Sequence, residues 1–140
     1  MFVKEWMSRG LITVAPNATL DEALKLMETN KIRRLPVVDG GKLVGIVTDR
    51  DLMKVSPSPA TTLSKYELNY ILEKIIIKDI MSKKLYTINQ NSTIEEAALI
   101  LFNEKIGGIP VVEDSGAIVG VITETDLFKA FVNIMGLTEG

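Results

Sequence analysis

The 140-residue chain contains no cysteine and no histidine. Without cysteine there is no disulfide, no thiolate zinc site and no thiol nucleophile, and the lack fits an intracellular protein. Without histidine the chain loses the commonest general base, the usual metal ligand and the one side chain that switches charge near neutral pH. Net charge is also small. Sixteen basic residues against 18 acidic ones give -2, which argues against bulk electrostatic binding to nucleic acid and leaves any anion to a local basic patch. Long apolar runs are missing. "AALILF" at 97–102 is the longest, far short of the ~20 residues that span a bilayer. The first ten residues, "MFVKEWMSRG", mix charges in and carry no apolar signal core. These absences point to a soluble, cytoplasmic protein, of a length at which one domain buries roughly two thirds of the surface its unfolded chain exposes.

What is present is a duplication. With an offset of 74, Val3 to Val38 meets Ile77 to Val112 at 14 of 36 identical positions, among them Met7 with Met81, Thr19 with Thr93 and both copies of "PVV". One extra residue in "EDSGA" moves the offset to 75, and Leu43 to Lys54 then matches Ile118 to Lys129 at 6 of 12. Two copies of one supersecondary unit follow, of a kind that packs against its neighbour because neither buries its apolar face alone.

Within a copy, "LITV" at 11–14 reads as a short strand, and "NATLDEALKLMETNK" places Leu20, Ala23, Leu24 and Met27 at helical spacing behind a Thr19-x-x-Glu22 capping box. "LPVVD" and "LVGIVT" are β-branched runs joined by the hairpin signal "DGGK", and "DLMK" opens a second helix. Each copy is therefore β-α-β-β-α, with strands apolar enough to be covered on both faces. Residues 1–56 form the first repeat, 57–76 a connecting loop and helix, and 77–140 the second repeat. The loop is "VSPSPATTLS"; after it Ser64-x-x-Glu67 caps a helix with Leu68, Ile71, Leu72 and Ile75 on one face. Tyr66 and Tyr70 share another face, suited to covering core, to a dimer seam or to ligand contact. Gly136 is the expected stop of the last helix.

The repeated phrases "TDRD" and "TETD" carry the chemistry. Thr48-x-x-Asp51 and Thr123-x-x-Asp126 are capping boxes, each worth about 1 kcal/mol to its helix with no ligand needed. The same joint also presents a hydroxyl, backbone N–H groups and a carboxylate, and a nucleotide could use all three: ribose hydroxyls need an acceptor, and phosphate needs donors and positive charge. Arg33 and Arg34 precede the strand that pairs with the one ending at Thr48, and Arg50 lies inside the joint. Guanidinium forks suit phosphate, although adjacent surface arginines also serve as solvated charges. The second copy has Gly107, Gly108 and Thr125 instead.

The doubled pattern "MSRGLITVAPNATLDEALKLMETNKIRRLPVVDGGKLVGIVTDRDL" and "MSKKLYTINQNSTIEEAALILFNEKIGGIPVVEDSGAIVGVITETDL" resembles a tandem pair of cystathionine-β-synthase (CBS) domains, a Bateman module, over nearly the whole chain. The resemblance implies an α/β (α+β) fold of two β-α-β-β-α repeats about a pseudo-twofold axis, clefts between their sheets, and a homodimer. It implies an adenosine ligand in those clefts, AMP, ADP, ATP or S-adenosylmethionine. By position, Asp51 and Asp126 would hold ribose hydroxyls and Thr48 and Thr123 the ribose-phosphate end. Thr13, Thr87, Leu35 and Ile109 would line the adenine, while Arg33, Arg34 and Arg50 would face phosphate. For the second cleft, without a cation of its own, three outcomes stay open: empty, filled by a less charged ligand, or served by an arginine from across the axis. More narrowly, "SPSPATTLSKYELNYILEKIIIKDIM" is similar to the linker of acetoin-utilization-type CBS proteins, in which an ACT domain follows; the chain is then either a free-standing pair or a piece of a longer regulator.

The implied function is a regulatory sensor that binds an adenine nucleotide or S-adenosylmethionine and passes its occupancy to a partner. A ligand-free dimerisation or docking scaffold is the alternative. Catalysis is not expected: the paired acids Asp21-Glu22 and Glu95-Glu96 sit in first helical turns, where the helix dipole already favours negative charge.

Overall fold

The computed structural model describes residues 1–56 and 62–137, so the centre of the connecting loop, 57–61, lies outside the described residues. Short helix α1 (Val3–Trp6) comes first. It is followed by α2 (Leu20–Asn30), strands β1 (Arg34–Asp39) and β2 (Lys42–Thr48), α3 (Asp49–Val55) and α4 (Lys65–Lys74). A 3-10 turn at Ile77–Asp79 leads to β3 (Ile88–Asn89), α5 (Ile94–Glu104), β4 (Gly108–Val112), β5 (Ile118–Thr123) and α6 (Glu124–Ile134). This is the mixed α/β order that the duplication predicts, with one correction. The stretch 11–14 is not a strand: only Val14 pairs, in parallel with Val37. In the second copy the ladder runs one bond further because Gln90 donates its N–H to the Val112 carbonyl at 2.9 Å. The matching position in the first copy is Pro16, which has no N–H to give.

The helices begin where side chains can take their first free N–H groups. Thr19 accepts from the Glu22 amide and Thr93 from the Glu96 amide, both at 3.2 Å, and Ser64 accepts from Glu67 at 3.1 Å. At α2 and α5 only the threonine half of the expected capping box forms. Asp21 has a structural partner in Lys25 at 3.0 Å, and the hydrogen bond and charge of Asp21 push the Lys25 pKa up. α2 and α5 both end on a lysine in left-handed conformation, Lys31 with φ 54° and Lys105 with φ 55°. Gly136, with φ 67°, follows α6 as expected.

β1 and β2 form an antiparallel hairpin that turns on Gly40 and Gly41, with φ of 57° and 82°. Two successive positive φ values are what a tight two-residue hairpin turn requires, and glycine adopts them at little steric cost. β4 and β5 pair in the same register, and β3 adds in parallel to β4. Both hairpins carry an irregularity at the same place, between Val37 and Val38 and between Val111 and Val112. β1 and β4 are buried through their middles, whereas β2 and β5 alternate. The two-sided cover expected for all strands therefore holds for the inner ones only.

Two compact units result, and they are not the two sequence repeats. The first is Ile12–Leu85, and the second combines Met1–Leu11 with the chain from Tyr86 on. In the first unit Leu20, Ala23, Leu35, Val37, Val47, Leu52 and Ile77 are fully buried in one cluster, with Leu72 and Ile75 at its edge. In the second, Val3, Met7, Ala97, Ile109, Val111, Ile122 and Ala130 play the same part. Each unit thus uses the leading segment of the other repeat. Ser82 exchanges hydrogen bonds with Ile46 at 3.0 and 2.8 Å, and Ser8 does so with Val121 at 2.9 and 3.0 Å. Tyr66 and Tyr70 remain 84% and 59% exposed, so they cover neither core. Among the described residues no helix is long and apolar enough to cross a membrane.

Candidate functional site

In the first unit β2 runs into α3 at Thr48, and the joint closes on itself. The Thr48 amide donates to Asp51 Oδ2 at 2.9 Å, and the Asp51 amide donates to Thr48 Oγ1 at 3.2 Å. The reciprocal capping box expected from spacing is therefore formed, and it uses one carboxylate oxygen. Asp51 Oδ1 has no hydrogen bond among the described residues and stays open to a donor from outside.

Three arginines belong to the same joint by backbone position. Arg34 lies opposite Thr48 in the β1–β2 ladder. The Arg33 carbonyl accepts from the Asp49 amide at 2.9 Å, which ties the strand entry to the start of α3. Arg33 and Arg50 are exposed and Arg34 is half-buried. Among the described residues no ion pair or side-chain hydrogen bond engages any of the three guanidinium groups.

The second unit repeats the backbone and changes the side chains. Gly108 lies opposite Thr123, and the Gly107 carbonyl accepts from Glu124 at 3.0 Å. The Thr123 amide donates to Asp126 Oδ2 at 2.8 Å, and the Thr123 hydroxyl donates to the same oxygen at 3.1 Å, a bond with no counterpart at Thr48. Asp126 is 9% exposed, the one buried charged residue among those described.

Of the remaining expected site residues, Thr13 and Thr87 are exposed, each just before the residue that pairs with the inner strand, Val14 and Ile88. Leu35 and Ile109 are the most buried of the expected site residues. They are 0% and 1% exposed and belong to the two cores. The apolar character that marked them as an adenine lining is the same character that buries them. Spacing did not single out Gly45 and Gly120, where an added Cβ would crowd Met81 and Ser82 in one unit and Ser8 and Met7 in the other.

A second feature lies on α5 and α6 of the second unit. Phe102, Phe128 and Phe131 are 80%, 67% and 54% exposed around a groove of about 480 Å³ with Ala98, Leu101 and Leu127 also in its lining. The matched positions of the first unit are Glu28, Met53 and Ser56. Among the described residues no group of acids could hold a metal ion.

Comparison with known proteins agrees with this architecture. The CBS-domain family model matches residues 3–58 and 77–133. A CBS domain-containing protein of Dictyostelium discoideum is 36% identical over 136 residues, 96% of this chain and 94% of its own length. Among solved structures, the CBS domain pair of protein MJ0100 in complex with 5′-methylthioadenosine and S-adenosyl-L-methionine superposes with a TM-score of 0.78 at 30% identity, covering 96% of this chain and 98% of that one. CBSX2 in complex with AMP gives 0.80 at 28% identity over 96% and 98%. A Vibrio cholerae protein assigned to acetoin utilization gives 0.79 at 28% identity over 100% and 98%. Family model, relatives and fold agree: the chain belongs to the CBS-domain family, as a tandem pair of CBS domains.

Proposed function

We propose that this CBS pair is a regulatory module that binds an adenosine-type ligand, AMP, ADP, ATP or S-adenosylmethionine, and passes its occupancy to a partner protein or an attached ACT domain. The observation that carries the reading is the half-used carboxylate of Asp51 in a joint whose three arginines have no ion pair or side-chain hydrogen bond among the described residues. A ribose needs an acceptor for its hydroxyls, and a phosphate needs guanidinium donors. The joint offers both at one end of one hairpin, at positions the family resemblance assigns to these roles. The fold neighbours with AMP and with S-adenosylmethionine lend the ligand class. Thr13 and Thr87, with the main chain at Leu35 and Ile109, are assigned to the base, and Thr123 and Asp126 to the second ribose.

The module is also proposed to act as a homodimer, with the phenylalanine-lined face of α5 and α6 as the contact. That face carries protruding rings, Phe102 and Phe128, beside a groove lined in part by Ala98. A surface with both knob and hole is self-complementary, as a twofold interface must be.

Thermal unfolding with and without each ligand tests the binding reading. Saturating ligand should raise the midpoint by several degrees, since 100 times the dissociation constant adds about 2.7 kcal/mol. Asp51→Asn keeps a capping acceptor and removes the charge; it should lose most of the shift. If no ligand shifts the midpoint at millimolar concentration, the capping boxes are only caps and the scaffold reading stands.

A further inference from the structure

Resting on the adenosine reading above, we infer that the two joints select different ligands. The joint of Arg33, Arg34, Thr48 and Asp51 takes an adenosine ligand that carries phosphate, and the joint of Gly107, Gly108, Thr123 and Asp126 takes one that carries none.

Three differences at matched positions support this, and the shared backbone register makes them differences of side chain alone. Charge is the first. Residues 33–34 and 48–51 hold three guanidinium groups and two carboxylates, whereas 107–108 and 123–126 hold two carboxylates and no cation. The second is the threonine hydroxyl. Thr48 Oγ1 accepts from Asp51, and its proton has no acceptor among the described residues, so it can donate to a phosphate oxygen. Thr123 spends the same proton on Asp126 at 3.1 Å. Burial is the third. Asp126 is 9% exposed, and a phosphate brought beside a poorly solvated carboxylate is repelled more strongly than one beside a wet one.

Neutral hydroxyls meet none of these obstacles. Asp126 Oδ1 has no hydrogen bond among the described residues, although Oδ2 takes two. It can accept from a ribose hydroxyl, and Gly107 and Gly108 put no charged side chain where the first joint has Arg33 and Arg34. The second joint therefore fits an uncharged nucleoside such as 5′-methylthioadenosine.

Calorimetric titration of the full chain with AMP and with 5′-methylthioadenosine tests the assignment, on variants first shown to melt cooperatively. The parent should bind one AMP per chain. Replacing the cations with their counterparts, Arg33→Gly, Arg34→Gly and Arg50→Thr together, should weaken AMP by roughly 100-fold or more and leave one 5′-methylthioadenosine bound. Asp126→Asn should remove that 5′-methylthioadenosine and leave AMP. The reverse graft, Gly107→Arg with Thr125→Arg, should raise AMP to two per chain; neither position has a positive φ that an arginine would resist. Two AMP per chain in the parent, or AMP binding unchanged by loss of the arginines, overturns the inference while keeping the adenosine reading. If 5′-methylthioadenosine is unaffected by Asp126→Asn, its assignment to the second joint is wrong. If neither compound binds, and ADP, ATP and S-adenosylmethionine also fail to bind, the adenosine reading itself falls.

Discussion

The Ser8 carbonyl oxygen stands 2.6 Å from the point that a Cβ on Gly120 would occupy. Ser8 and Val121 exchange two backbone hydrogen bonds there, so the leading segment of the first repeat lies flat on β5 and leaves no room for a side chain. The matched pair, Ser82 over Gly45, is looser: the carbonyl is 3.1 Å away and the nearest atom, at 2.5 Å, is the Met81 sulfur.

Glycine replacement should therefore cost different amounts in the two repeats. Gly120→Ala meets a hydrogen-bonded carbonyl that cannot move without breaking its bonds, and should lose about 2–3 kcal/mol. Gly45→Ala meets mainly a flexible methionine end, and should lose about 1 kcal/mol. Urea unfolding of both variants checks the order; equal losses would mean that Ser8 is not fixed over β5.

The capping threonines should also differ. Thr48→Ala removes one cap acceptor and should cost about 1 kcal/mol. Thr123→Ala removes the same acceptor and a donor to buried Asp126, for about 2 kcal/mol in all. Serine at either position should restore most of the loss, measured by thermal or urea unfolding.

The exposed phenylalanines give a third prediction. Phe102→Glu with Phe128→Glu changes side chains that are 80% and 67% exposed, so the fold should survive with a change of about 0.5 kcal/mol or less at a concentration where the parent is monomeric. The parent should sediment as a dimer at high concentration and the double variant as a monomer. A dimer that persists in the variant would put the interface elsewhere.

Ionic strength gives a fourth. If phosphate is held by Arg33, Arg34 and Arg50, which are exposed or half-buried, AMP affinity should fall as salt rises and the Debye length shrinks from about 10 Å at 0.1 M to 3 Å at 1 M. Binding of 5′-methylthioadenosine should be nearly flat over the same range. Titrations at several salt concentrations decide it, and parallel slopes would remove the arginines from phosphate binding.

Much of the architecture is local, and so was legible in one chain. Helices α2 and α5 follow from apolar spacing and a threonine cap; the hairpin at Gly40-Gly41 follows from two residues that tolerate positive φ; the Thr-x-x-Asp joints follow from four residues each. The duplication fixed the family and the order of elements because matching residues must solve matching packing problems. Where a side chain ends up was not local. "LITV" has strand composition, yet it earns a single bridge at Val14 because Pro16 withholds the next N–H. The burial of Leu35 and Ile109 in the two clusters depends on which distant strands and helices cover them.

The sequence by itself determined that this is one β-α-β-β-α unit written twice, with a basic joint in the first copy and an acidic one in the second. Only the tertiary structure decided that the Met-Ser segment leading each repeat pairs with the hairpin of the other repeat, that Gly45 and Gly120 are small to admit it, and that Thr123 donates its hydroxyl to a buried aspartate while Thr48 does not. The reason is physical. Spacing and caps act over a turn or two of chain, whereas a β-bridge between residues such as Ser8 and Val121 depends on which distant strand edge offers unpaired N–H and C=O groups, and no local pattern records that.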